Sequence, residues 1–368
     1  MNTLAGLNAD LRYAFRNLSR NPAFAAVAIG ALTIGIGANT AVFTVVESVL
    51  LRPLPYREPS ELYTVRPIGV GAMSDPQFIA CRSATTAFQQ LAAYDSWTWN
   101  GTGVGDPVAI HGQQVTTNFF ATLGVRPQFG RGLRPEEESA SAAKVAVMSN
   151  SFWRAHFQAG HDALGKSIVL DGEPHTIVGI MPAGFDPAVE LWVPAVLEPN
   201  NHHIAFRQVI GRLAAGTTVA RAKAELDAVN SRLAEAANHH HYEDVMVIAP
   251  LRDSVVGNAR PALLVFLGAV GCVLLIACVN VANLLLSRAS ARKQEIAIRA
   301  SLGATRWRLA RQLLTESAVL GIIGGLLGLI VALWGVETLT EFAPANRIPR
   351  MDEIRFDGWV FAFNMGVA

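Results

Sequence analysis

The sequence predicts a membrane protein: an α-helical transmembrane bundle carrying a large mixed α/β extracytoplasmic domain. Three observations point there. Stretches 23–46, 262–286 and 317–336 carry no charge, and each is long enough to cross a bilayer, which takes about 20 apolar residues. A polar region of short alternating patterns, 52–260, separates the first stretch from the second. Between the second and third lies Arg288–Leu314, strongly basic and patterned as two short helices. At 51% hydrophobic and 16% charged, the composition falls between a soluble enzyme and a pure bundle of membrane helices. A net charge of +1 gives no basis for nucleic-acid binding.

Residues 1–22 space Arg12, Arg16 and Arg20 four apart beside an apolar stripe of Leu11, Phe15 and Leu18. That is the pattern of an amphipathic helix lying on the inner membrane face. Asn21-Pro22 is a helix-start signal, so transmembrane helix 1 occupies 23–51 and Arg52-Pro53 ends it. The apolar run is too long for a cleaved signal peptide, and no cleavage site follows. Glu47 is expected to snorkel into the outer interface.

The extracytoplasmic domain is assigned 52–260. Alternation predicts strands at Leu62–Arg66, Lys144–Met148, Ser167–Leu170, His175–Ile180, Val209–Leu213 and Val245–Ala249. Helical periodicity predicts helices over 76–92, 150–158 and 218–237, the last with an apolar stripe of Ala222, Leu226, Val229 and Leu233. Cys81 is the lone cysteine there and cannot form an intradomain disulfide, so a core of ordinary size must hold the domain.

Transmembrane helix 2 occupies 262–286. Asn280 and Asn283 lie in its inner half, where amides are expected to hydrogen-bond across helices. The basic loop takes 287–315. Transmembrane helix 3 takes 316–337, with overlapping GxxxG pairs at Gly321/Gly325 and Gly324/Gly328 that permit close helix packing. An outer loop covers 338–356. Residues 357–368 start a fourth transmembrane helix that is only half a span, so the chain is expected to be a fragment. The first 25 residues of the basic loop carry six Arg and one Lys against one Glu. The outer loop balances three Arg with Glu341, Asp352 and Glu353. The positive-inside rule therefore puts the N-terminus and the basic loop in the cytoplasm and 52–260 outside.

Catalytic motifs find no support, and no catalytic, cofactor-binding or metal-binding residue is assigned. Gly160–Ser167 matches the GxxxxGK[ST] phosphate-binding loop. Such a loop must leave a strand and open a helix, whereas here a helical pattern precedes and a strand pattern follows. His239, His240 and His241, with His202 and His203, lack the convergent third and fourth ligands of a metal site. HExxH, GxSxG and Cys/His pairs are absent from the sequence. The basic loop is the stronger signal. Glu295 and Arg299 form an i,i+4 pair, and Gly303-Ala304-Thr305 reads as a helix stop followed by an N-cap before a second helix at Arg306.

At Arg292-Lys-x-Glu295-Ile-Ala-Ile-Arg299-Ala-Ser-Leu-Gly303-Ala304-Thr-Arg306, followed by Arg311-Gln312-Leu-Leu-Thr-Glu316-Ser317, the chain resembles the permeases of the MacB/FtsX class of ABC transporters. Asn118-Phe119-Phe120-Ala-Thr-Leu123-Gly124-Val125, Gly165-Lys-Ser-Ile-Val-Leu170-Asp171-Gly172 and Val178-Gly179-Ile-Met181-Pro182 resemble the MacB-like periplasmic core domain. Leu50-Leu-Arg-Pro-Leu-Pro-Tyr56 is similar to orphan permeases that repeat this unit, which would make the chain roughly a first half. The resemblance implies a non-catalytic permease in the bacterial inner membrane, acting in efflux or export of an unassigned substrate. It implies a separate cytoplasmic ABC ATPase gripping the loop at Arg292, Glu295, Arg299 and Arg306, and mechanotransmission from that loop to the outer domain. It further implies a homodimer or a duplicated second half, packing at Gly321, Gly325 and Gly328 within the lipid bilayer, and a periplasmic or outer-membrane partner. The alternative is a membrane-anchored sensor or a regulator of an envelope enzyme, because span, outer domain, span and basic inner segment is also a sensor layout.

Overall fold

The computed structural model describes residues 12, 16, 18–52, 54–68, 73–102, 107–186, 188–199, 205–206, 208–237, 245–257, 260–291, 306–342, 360, 362, 364 and 366. The chain divides into two compact units: Met1–Arg52 with Asn258–Ala368, and Pro53–Gly257. Most of the expected N-terminal amphipathic helix and the outer loop, with the histidines at 202–203 and 239–241, lie outside the described residues.

Helix α1 (Pro22–Val46) starts on a proline, where a missing N–H leaves no intrahelical bond unmade. It then widens into a π turn, Glu47–Leu51, closed by the Arg52 N–H donating to the Glu47 carbonyl at 2.9 Å. Arg52 leaves in an extended conformation (φ −65°, ψ 128°), as the residue before a proline prefers. Glu47 does not snorkel. It is 8% exposed, with the Arg52 guanidinium 3.8 Å from its carboxylate, because the π turn brings the charge five residues on back over it.

In the second unit the elements run β1 (Leu62–Pro67), β2 (Met73–Ser74), α2 (Asp75–Ala84), β3 (Phe88–Thr102), β4 (Val108–Val115), α3 (Phe119–Leu123), β5 (Phe129–Gly130), β6 (Val145–Met148), α4 (Asn150–Phe157), β7 (Ser167–Leu170), β8 (Glu173–Ile180), β9 (Leu191–Pro194), β10 (Ala205–Phe206), β11 (Gln208–Leu213), α5 (Val219–Ala237), β12 (Met246–Pro250) and α6 (Leu251–Val256). Ten strands make one sheet in the order β12-β1-β11-β3-β4-β9-β6-β8-β5, with β7 pairing both β3 and β8. The β4–β9 and β6–β8 pairs are parallel and the others antiparallel, so the fold is mixed α/β. The six strands expected from alternation are β1, β6, β7, β8, β11 and β12, each within two residues of its expected bounds.

The helix expected over 76–92 is corrected. α2 stops at Ala84, and residues from Phe88 belong to the longest strand of the sheet. Thr85 turns extended, and the Glu225 carboxylate on α5 accepts the Thr86 and Ala87 N–H groups at 2.8 and 2.9 Å. A long-range acceptor thus takes the donors a continuing helix would need. β3 is covered on both faces. Leu91 and Ala93 join Phe78, Val209 and Leu226 in one core, while Ala92 joins Phe120, Phe185 and Trp192 in another. A strand buried on both sides loses its alternation and reads as helical. A third core lies around Trp99, Met148, Phe152, Ile168 and Ile177.

In the first unit the chain resumes with α7 (Arg260–Ala291) and α8 (Arg306–Phe342). Both pack on α1, and Leu18, Ala28, Val281, Val319 and Leu320 form their shared core. Among the described residues, three segments are long and apolar enough to cross a membrane: Pro22–Leu51, Arg260–Ser287 and Leu314–Gly335.

Candidate functional site

The site expected to matter most is the membrane unit and the basic loop attached to it. Arg292, Glu295 and Arg299 lie outside the described residues. Arg306 is the first residue of α8, which continues unbroken to Phe342, so the second loop helix and the third span are one helix. Within that helix Thr315 donates its hydroxyl to the Arg311 carbonyl at 2.9 Å, and Glu316 is buried.

Glycines set the packing of α1 against α8. Gly321, Gly324, Gly325 and Gly328 are all buried. A Cβ on Gly328 would stand 3.0 Å from the Gly37 amide nitrogen, and one on Gly37 would stand 2.9 Å from the Gly328 carbonyl oxygen. At Gly324 a Cβ would meet the Leu32 Cβ at 2.7 Å. Only hydrogen fits where two backbones approach this closely. Gly35, two residues before Gly37, faces the other helix, and a Cβ there would lie 3.2 Å from the Ala277 Cβ. Gly35 and Gly37 were missed from sequence. The signal was present in Ile34-Gly35-Ile36-Gly37-Ala38-Asn39, where glycines two apart face different neighbours.

An interhelical amide also comes from α1. Within the chain Asn280 and Asn283 are exposed and do not pack against α1 or α8. α7 meets α1 through Leu274, Ala277, Val281 and Leu285, and at 100° per residue the two asparagines fall on another flank. Asn39 of α1 is buried and donates to the Val270 carbonyl of α7 at 2.7 Å. On α1, Thr40 receives the Asn364 amide at 3.0 Å, and both residues are buried.

In the Pro53–Gly257 unit, Gly160–Ser167 has the order read from sequence: α4, a 3-10 turn at His161–Ala163, then β7. The Lys166 ammonium pairs with Asp162 at 2.5 Å and stands over the Phe157 ring, so it closes the turn on itself. Its hydrogen bond, and its charge after that, hold the Asp162 carboxyl below the usual range. Burial pushes the Cys81 thiol up to about 12, making it a core residue and not a nucleophile. Among the described residues, no group of three or more His, Cys, Asp or Glu side chains is placed to hold a metal.

Two family profiles match the chain: the MacB-like periplasmic core domain over residues 25–229 and the FtsX-like permease C-terminal domain over residues 267–367. The macrolide export ATP-binding/permease protein MacB of Wolinella succinogenes is 28% identical over 238 residues, 62% of this chain and 36% of that protein. The uncharacterized ABC transporter permease YknZ of Bacillus subtilis is 27% identical over 210 residues, 54% of this chain and 51% of that protein. The chain thus spans between about a third and a half of these relatives. The periplasmic region of MacB from Actinobacillus actinomycetemcomitans aligns with a TM-score of 0.42 at 15% identity, over 55% of this chain and 94% of that one. With one profile covering more than half its length and the second covering the helices after it, the chain belongs to the MacB/FtsX family of ABC transporter permeases.

Proposed function

We propose that the chain is the permease part of an inner-membrane ABC transporter that passes movement from a separate cytoplasmic ATPase to its extracytoplasmic domain. The observation that carries this reading is α8. It is one helix of 37 residues from Arg306 to Phe342, about 55 Å long at 1.5 Å per residue. A rigid rod rooted in the basic loop and running the full width of a bilayer suits transmission of force. The Gly37–Gly328 crossing joins α1 to that rod, and α1 leads directly into Pro53. In this reading 287–315 is the coupling loop, with Arg292, Glu295, Arg299 and Arg306 against the ATPase, the N-terminus is cytoplasmic, and residues 52–260 are outside. Asn280 and Asn283, exposed on α7, would be covered by a second copy or a duplicated second half, since lipid offers amides no partner. The substrate moved is left unassigned by this reading.

The test is co-purification of the detergent-solubilised protein with the ABC ATPases of its source organism, alongside Arg299→Glu and Arg306→Glu. Capture of one ATPase by the wild type, lost in both reversals, is the expected result. Undiminished capture by both variants would remove the loop from the interface.

A further inference from the structure

In the Pro53–Gly257 unit, the stretch of chain that follows the first span is fastened to the sheet by a buried arginine. Arg212 lies on β11, an inner strand, opposite Leu62 of β1 and Gln90 of β3. Its side chain is 7% exposed, and a charge buried that deeply is costly unless it is paired and hydrogen-bonded. Nη2 donates to the Arg57 carbonyl at 2.6 Å. Nη1 donates to the Glu58 carbonyl at 3.3 Å and to Glu61 Oε2 at 3.2 Å. Nε donates to the Thr122 carbonyl of α3 at 3.1 Å. The Glu58 carboxylate lies 3.9 Å away. The planar guanidinium therefore joins three pieces of chain: residues 57–61, α3 and the strand that carries it.

Other contacts tighten the same knot. The Arg57 N–H donates to the Leu123 carbonyl at 3.3 Å. Gly124 follows at φ +74°, and a Cβ there would stand 2.5 Å from the Arg57 Cβ. Glu58 is held in the left-handed region (φ 45°, ψ 60°), which a residue with a side chain enters at a cost and keeps only where its surroundings impose it. On the span side of the knot, Leu54 is buried and the Tyr56 ring meets the Phe185 ring edge-on at 6.3 Å. The chain from Leu54 to Glu61 is thus part of the domain and not a linker to it. A free linker absorbs the movement of the helix it follows, whereas a segment fastened to an inner strand passes that movement on. Charge-assisted bonds from one planar fork fix direction as well as distance.

We propose that Arg212 is the point at which movement of the first span is taken up by the sheet. It is a positioning residue that holds Arg57–Glu61 on β11 and α3, so that displacement of α1 becomes displacement of the domain. This inference rests on the coupling reading and adds the residue that receives the movement.

The test uses the full chain in nanodiscs with the ATPase it captures, and reads the limited-proteolysis pattern of residues 52–260 with and without ATP. Unfolding temperature is followed in every variant. Arg212→Lys keeps the positive charge but loses the fork that reaches several carbonyls at once. It should still capture the ATPase and lose the ATP-dependent change. Glu61→Gln alters a side chain that is 40% exposed, so it removes one charge from the knot and leaves the fold standing. It should show a smaller loss of the same kind, and it decides alone where Arg212→Lys fails to fold. Phe152→Leu weakens the third core, away from the knot, and should respond to ATP as the wild type does. A full response in either knot variant, or an equal loss in Phe152→Leu, overturns the proposal. A wild type that captures no ATPase, or shows no ATP-dependent change, overturns the coupling reading and this inference with it. A responding wild type beside responding knot variants overturns this inference alone.

Discussion

At the scale of single residues, Trp192 ties a cluster of aromatic rings to the sheet of the Pro53–Gly257 unit. It is fully buried, donates its indole N–H to Gln113 Oε1 at 3.1 Å, and has the Phe120 and Phe185 rings at 5.8 and 5.3 Å. Trp192→Ala opens a cavity and strands the Gln113 amide. A loss of about 3–5 kcal/mol is expected, read as a lowered unfolding temperature by far-UV circular dichroism, and a loss under 1 kcal/mol would show that the aromatic cluster adds little. His175 makes stability depend on pH. Burial lowers its pKa from the ordinary 6.5, while its Nδ1–H donates to the Glu173 carbonyl at 3.0 Å. The unfolded chain therefore takes up the proton more readily than the folded one. His175 contributes its full stability above the ordinary histidine range and loses it as pH falls below about 6.5 towards the depressed folded value. His175→Gln should flatten the decline in unfolding temperature between pH 7 and pH 5. An unchanged decline in the variant would assign it to carboxylates instead.

At the scale of elements, legibility depended on how many faces a segment buries. β7 was predicted to the residue, because Ser167–Leu170 alternates exposed and buried and ends at Asp171-Gly172, a turn signal. α5 was legible because only one of its faces meets the sheet, so Ala222, Leu226 and Val229 stand out against polar neighbours. β3 was not, because both faces are buried and its start is set by Glu225, more than a hundred residues away. In the membrane unit the GxxxG spacing of α8 was legible, but its partner was not, since spacing within one helix does not name the helix opposite. The structure supplies that partner as Gly37. Gly328→Leu should separate α1 from α8, costing about 1–3 kcal/mol or more by overpacking. Gly335→Leu on the same helix is the control, because a Cβ there meets nothing within 4 Å. Thermal unfolding in detergent should fall for the first and hold for the second. Equal behaviour would mean the glycine crossing does not hold the helices together.

At the scale of the whole molecule, the proposed function rests on continuity of backbone. Local openings cost little where few contacts hold a segment, so a lever must be stiff along its length. α8 meets that need by running from Arg306 through Glu316 and the glycine crossing to Phe342 without a break. Between its two ends an α-helix closes its backbone hydrogen bonds on itself, as a lipid-embedded segment requires. Inserting Gly-Gly after Gln312 leaves Arg292–Arg311 and the apolar span intact but puts a soft joint between them. Glycine in a helix interior costs about 1 kcal/mol each against alanine, enough to bend the rod locally without unfolding the span. The expected outcome splits two properties that a loop mutation would lose together. The variant still captures the ATPase through Arg299 and Arg306, while ATP no longer changes the limited-proteolysis pattern of residues 52–260. If ATP altered that pattern as in the wild type, force would have to travel by another route. α1 would then be the candidate, through Glu47–Leu51, where the π turn holds Glu47 against Arg52 immediately before the outer unit begins.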